Sequence, residues 1–81
     1  MCGIFGIVKK RETILGPVLT DAGRRLSYRG YDSVGCAAIR DDGTIDLRKD
    51  AGKVDEVAGR LNFDEMVGRR GIMQLRWATF G

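Results

Sequence analysis

The first eight residues, Met1-Cys2-Gly3-Ile4-Phe5-Gly6-Ile7-Val8, carry no charged side chain and show no polar alternation. Residues 3–8 therefore read as a strand buried on both faces. Gly6 inside the run points to something packing closely on the backbone. A cysteine opens the run directly behind the initiator methionine. A small second residue permits removal of Met1, which would make Cys2 the chain terminus, with a thiol and a free α-amine on one residue. Such a residue holds a nucleophile and a base together. The α-amine titrates near ~8, so at neutral pH a useful fraction is free to take the thiol proton. The plainer alternative is that Cys2 is a small apolar residue near a chain end.

Composition sharpens the choice. The chain has no histidine, so the common Cys/His route to a thiolate is closed to these residues. Two cysteines without histidine also fall short of the usual four-ligand zinc site, and no metal or cofactor is expected. At 81 residues, 43% hydrophobic and 31% charged, the chain is one small globular domain or part of a larger one. Its apolar runs are too short to span a bilayer, and no signal-peptide pattern opens it. Two cysteines in that context indicate free thiols in a reducing, cytoplasmic setting. The net charge of +3 comes from Lys9-Lys10-Arg11, Arg24-Arg25 and Arg69-Arg70, with acids between them. These are solvated faces, and no nucleic-acid motif accompanies them.

Along the chain, residues 9–13 read as a polar loop. Gly16-Pro17 starts a helix, with Pro17 at the first helical position. Val18, Leu19, Ala22 and Leu26 share its inner face, and Asp21 pairs with Arg25 one turn on. Residues 27–35, rich in Tyr and Gly, read as a functional loop. A strand follows at residues 36–39, with Cys36 a small core residue. Asp41-Asp42-Gly43 forms a hairpin turn, and residues 44–48 return with Ile45 and Leu47 on one face. Residues 53–61 form an amphipathic helix with Val54, Val57, Ala58 and Leu61 inward. Residues 62–66 form a short helical turn, and residues 71–77 a further strand. Arg76 and Thr79 at the mouth of that strand could bind a carboxylate, through a planar fork and a hydroxyl. A structural ion pair to Asp64 or Glu65 is the competing role for Arg76. Repeats, low-complexity tracts and an internal domain boundary are absent from the sequence.

Three stretches taken together resemble the class II glutamine amidotransferases, whose glutaminase domain is an N-terminal-nucleophile hydrolase. They are Met1-Cys2-Gly3-Ile4-Phe5-Gly6, Tyr28-Arg29-Gly30-Tyr31-Asp32-Ser33 and Arg76-Trp77-Ala78-Thr79, with Gly52-Lys53-Val54 between them. The resemblance covers all 81 residues as the first part of such a domain, residues 1–81 with no internal boundary. It implies an α+β fold, the N-terminal part of a four-layer αββα sandwich. It implies that Cys2 attacks the side-chain amide of L-glutamine and releases ammonia through a thioester. Arg29 and Gly30 would lie beside the nucleophile, Arg76 and Thr79 would hold the substrate α-carboxylate, and Trp77 would shape the pocket. Residues 28–33 look most like the branch that passes ammonia to fructose 6-phosphate through a following synthase domain, in a homo-oligomer. Other branches, forming phosphoribosylamine, asparagine or glutamate, are the alternatives, as is a non-catalytic interaction fragment. Gln74, Leu75 and Phe80 stand where the family often has His, Thr and His, and they bear on pocket polarity. The family's Asn-Gly oxyanion donors and amine-binding aspartate are expected beyond Gly81.

Overall fold

The computed structural model describes residues 2–27 and 33–76. In chain order these form β1 (Cys2–Ile14), α1 (Gly16–Leu26), β2 (Ser33–Ile39), β3 (Ile45–Ala51), α2 (Val54–Arg60), a 3-10 turn (Phe63–Glu65) and β4 (Val67–Arg76). The strands make one antiparallel sheet in the order β1-β4-β2-β3. Both helices pack on one face, giving the α+β arrangement of one helix layer on one sheet. No helix of the described residues is long and apolar enough to cross a membrane.

Strand alternation sorts the sheet into two unlike faces. Val34, Cys36 and Ala38 of β2 and Met73 and Leu75 of β4 point toward the helices and are buried. Leu15 and Leu19 from the β1–α1 junction and α1, Val54 and Val57 from α2, and Phe63 and Met66 close over them as one core. The opposite face carries Ile4 at 68% exposure, Val8 at 73%, Ile45 at 65% and Leu47 at 58%. Double-sided burial of residues 3–8 is therefore corrected: β1 is covered on one face only by the described residues. Its uninterrupted apolar character fits a second covering layer lying outside them.

Helix α1 starts where Gly16-Pro17 places it, and α2 runs inside the expected bounds. Leu19 and Ala22 are buried and Leu26 half-buried as expected, but Val18 is exposed. Gly16 is required by a close approach, because a Cβ there would lie 1.7 Å from the Phe63 carbonyl oxygen. The Leu15 and Gly16 N–H groups both donate to the Met66 carbonyl, at 2.9 and 3.2 Å. Asp21 and Arg25 pair at 3.1 Å, and Arg24 reaches Asp55 of α2 at 2.6 Å. The hairpin turn sits at residues 41–43, with Gly43 at φ +88° and Asp42 accepting from both the N–H and hydroxyl of Thr44. Those two donors lower the Asp42 carboxyl below its usual pKa. Arg48 forks onto Asp46 at 3.0 Å and donates to the carbonyls of Leu61 and Asn62, tying β3 to the end of α2.

Four boundaries differ from the sequence reading by three residues or more, one of them the end of β3, which runs on to Ala51 and not to Arg48. Residues 9–13 are strand, because Thr13 and Ile14 pair again with Gly68 and Val67 after a register irregularity. The Glu12 carboxylate accepts the Asp41 N–H at 3.0 Å and holds this extension to the hairpin. Strand β2 begins at Ser33, since Ser33 and Gly35 complete its outward alternation. Strand β4 begins at Val67, four residues early, where it meets the tail of β1.

Candidate active site

The sheet register brings together, at one end, the two expected site residues that lie among the described ones. Cys2 pairs with Arg76, and Arg76 pairs on its other side with Ser33. The next row runs Ile4, Gln74, Gly35 and Lys49 across β1, β4, β2 and β3. A cleft of about 460 Å³ opens at this end of the sheet, lined by Ser33, Gly35, Lys49, Gln74 and Arg76, whose strand positions face away from the helices, and by Val34 and Asp50. Two of its walls are cationic. Among the described residues that line it, the one acid, Asp50, is engaged with Arg60 at 3.2 Å and with the Ala51 N–H at 2.7 Å. The described residues thus leave positive charge facing the cleft, which suits a carboxylate.

Of the site residues expected from sequence, Cys2 and Arg76 fall within the described residues. Arg29, Gly30, Trp77 and Thr79 lie outside them, as does the departure at Phe80. The described residues that border those segments, Ser33 and Arg76, are register partners. None of the ion pairs among the described residues includes Arg76. Glu65, an upstream candidate partner, lies 3.8 Å from Arg48 instead. Leu75 is buried toward the helices, whereas Gln74 is exposed on the cleft side. Sequence reasoning passed over Ser33, Lys49 and Asp50 as cleft residues. The signal was the alternation that begins at Ser33, hidden by the polar, glycine-rich segment before it.

Cys36 is the second thiol, and its surroundings make it a poor nucleophile. It faces the helices in the row of Met73 and Phe5 and is almost fully buried. Desolvation pushes its pKa up to about 12, with the Asp46 carboxylate adding to the shift. A second groove, of about 480 Å³, runs between α1 and α2 past Thr20, Arg24, Asp55 and Asp64. It is as large as the first but holds no thiol and lies on the helix layer, away from the Cys2 row.

No protein-family model matches the chain. Among curated proteins it is similar to glutamine–fructose-6-phosphate aminotransferase [isomerizing] of Pyrobaculum aerophilum, 49% identical over all of this chain and 14% of that protein. It is 47% identical to the enzyme of that name from Methanothermobacter thermautotrophicus and 42% identical to that from Pseudomonas syringae pv. tomato, over all of this chain and 13% of each. The chain thus spans 13–14% of the length of these relatives. Among solved structures it superposes on the allosteric regulatory enzyme of purine biosynthesis with a TM-score of 0.74 and 26% identity, over all of this chain and 17% of that one. With that fold, and with this likeness to aminotransferases over its whole length, the chain belongs to the class II glutamine amidotransferases.

Proposed function

We propose that residues 1–81 are the leading part of a glutaminase domain that hydrolyses L-glutamine, in a protein that passes the ammonia to fructose 6-phosphate. The observation that carries this reading is the pairing of Cys2 with Arg76 beside a cationic cleft. The names of the curated relatives supply the acceptor. A purine-biosynthesis enzyme with the same fold makes a different acceptor the second reading.

The chemistry follows from one residue. With Met1 removed, the Cys2 amine takes the thiol proton, directly or through a water. The thiolate attacks the side-chain amide carbon, and the C=O electron pair moves to oxygen. The tetrahedral species collapses, the C–N bond breaks, and the ammonium formed by the amine protonates the leaving nitrogen. Ammonia departs and a γ-glutamyl thioester remains. Water, deprotonated by the same amine, attacks the thioester and releases glutamate. Arg29 and Gly30 place the amine, Arg76 and Thr79 hold the α-carboxylate, and Trp77 shapes the pocket. The reading also includes a cytoplasmic location and a homo-oligomer; the buried free thiol of Cys36 fits a reducing compartment.

The test uses the full-length protein. Intact mass should show loss of Met1, and a glutamine-like diazo-ketone should label Cys2 and abolish ammonia release. Labelling at Cys36 with Cys2 untouched would overturn the reading. Product analysis with fructose 6-phosphate as acceptor separates the two readings.

A further inference from the structure

We infer that the Ser33 hydroxyl is a further donor to the substrate α-carboxylate, beside Arg76 and Thr79; this rests on the glutaminase reading. The first ground is position. Ser33 is the register partner of Arg76 on the strand beyond it, and both line the same cleft. The row Cys2–Arg76–Ser33 crosses three adjacent strands, a backbone span of about 10 Å. An extended glutamine measures about 5 Å from its amide carbon to its carboxylate carbon. A bond to sulfur at one end and a hydrogen bond of about 3 Å at the other bring the occupied length to the span of the row.

The second ground is the shape of the cleft. The residues of β2 that face away from the helices begin Ser33, Gly35 and Ala37, all small. They lie between Arg76 and Gln74 on β4 and Lys49 on β3, so β2 forms the floor of a trough with Ser33 at its Arg76 end. A Cβ at Gly35 would meet no described neighbour but the Lys49 Cβ, at 3.4 Å. Glycine there is therefore not demanded by backbone crowding; its effect is to leave the trough open. The third ground is availability. Among the described residues the half-buried Ser33 hydroxyl has no hydrogen-bond partner. A carboxylate has lone pairs for both a guanidinium fork and a hydroxyl.

The experiment measures ammonia release by the full-length protein with two substrates, L-glutamine and its α-carboxamide, which has no α-carboxylate. Ser33→Ala and Ser33→Cys, which remove the strong donor, should raise KM for glutamine about tenfold, the loss expected for a hydrogen bond to a charged group. They should leave kcat within about a factor of two and KM for the α-carboxamide unmoved. Ser33→Thr keeps the hydroxyl and should hold KM for glutamine near its starting value. Unchanged KM for glutamine in the Ala and Cys variants would overturn the inference while leaving the glutaminase reading intact. An equal rise for both substrates would do the same, because it would mark Ser33 as structural. Absence of glutamine hydrolysis by the unsubstituted protein would remove the glutaminase reading and this inference together.

Discussion

Cys36 shows what this sheet does to a thiol that faces the helices. Burial holds the proton on sulfur up to a pKa of about 12, so almost none is thiolate at neutral pH. In the folded protein it should react with iodoacetamide at least ~100-fold more slowly than in denaturant, measured by mass spectrometry of timed samples. The same shift sets a pH window for stability. Between the ordinary value of 9.0 and about 12, the folded state keeps a proton that the unfolded chain has lost. The Cys36 contribution to stability should therefore be level below pH 9 and be lost as pH rises through that window, read as a falling denaturation midpoint. Arg76 is the converse case, an exposed cation without a carboxylate partner among the described residues. Arg76→Lys keeps the charge and loses the planar fork. With charge-assisted hydrogen bonds worth roughly 1.5–3 kcal/mol, kcat/KM for glutamine should fall at least tenfold in the full-length protein. Stability should move by under about 0.5 kcal/mol, since no described contact depends on the fork. A destabilised Arg76→Lys protein with unchanged kcat/KM would return the residue to a structural role.

Elements differ in how much of themselves they show in the sequence. Helices α1 and α2 were legible because their apolar residues recur at helical spacing behind a clear start, as Pro17 and the Asp55-Glu56 pair show. The hairpin turn was legible because Asp-Gly chemistry is local. Strand ends were not. Residues 9–13 look like a loop, yet a charged, exposed edge strand looks the same, and Lys9, Lys10 and Arg11 lie on such an edge. Ser33 and Gly35 look like loop because they face a cleft and not the core. The candidate site was legible by residue type at Cys2 and Arg76, but their pairing depends on register between residues 74 positions apart in the chain (76 less 2), which no local pattern encodes. Gly16 shows the same non-local control. Its neighbour across the gap is the Phe63 carbonyl, far along the chain. Gly16→Ala should force α1 away from the 3-10 turn and cost about 3 kcal/mol or more, read as a lowered denaturation midpoint and faster proteolysis near Met66. An unchanged midpoint would mean that the approach is looser than 1.7 Å implies.

At the scale of the whole molecule, the sheet face opposite the helices divides along its length. The end at Cys2 is polar, with Arg76, Ser33, Gln74 and Lys49. Farther along, one row brings together Gly6, Ile72, Ala37 and Leu47, and the next sets Val8, Ile39 and Ile45 around Arg70. An αββα sandwich uses such a face twice, burying the apolar end under a second sheet and leaving the polar end as the mouth of the site. Residues 1–81 prepared alone would have the face and no cover, so they should bind a hydrophobic dye and sediment with a mass that rises with concentration. They should also show little ammonia release from glutamine, because the layer that would cover the cleft would be missing. Ile72→Ser with Leu47→Ser gives the decisive contrast. In the isolated piece the pair should reduce dye binding and association, since both side chains are exposed there and neither belongs to the helix-side core. In the full-length protein the same pair should destabilise by about 1.5–3 kcal/mol per side chain, the value of burying each beneath a second layer. A monomeric, dye-free piece, or a full-length double variant with unaltered stability, would show that nothing covers this face.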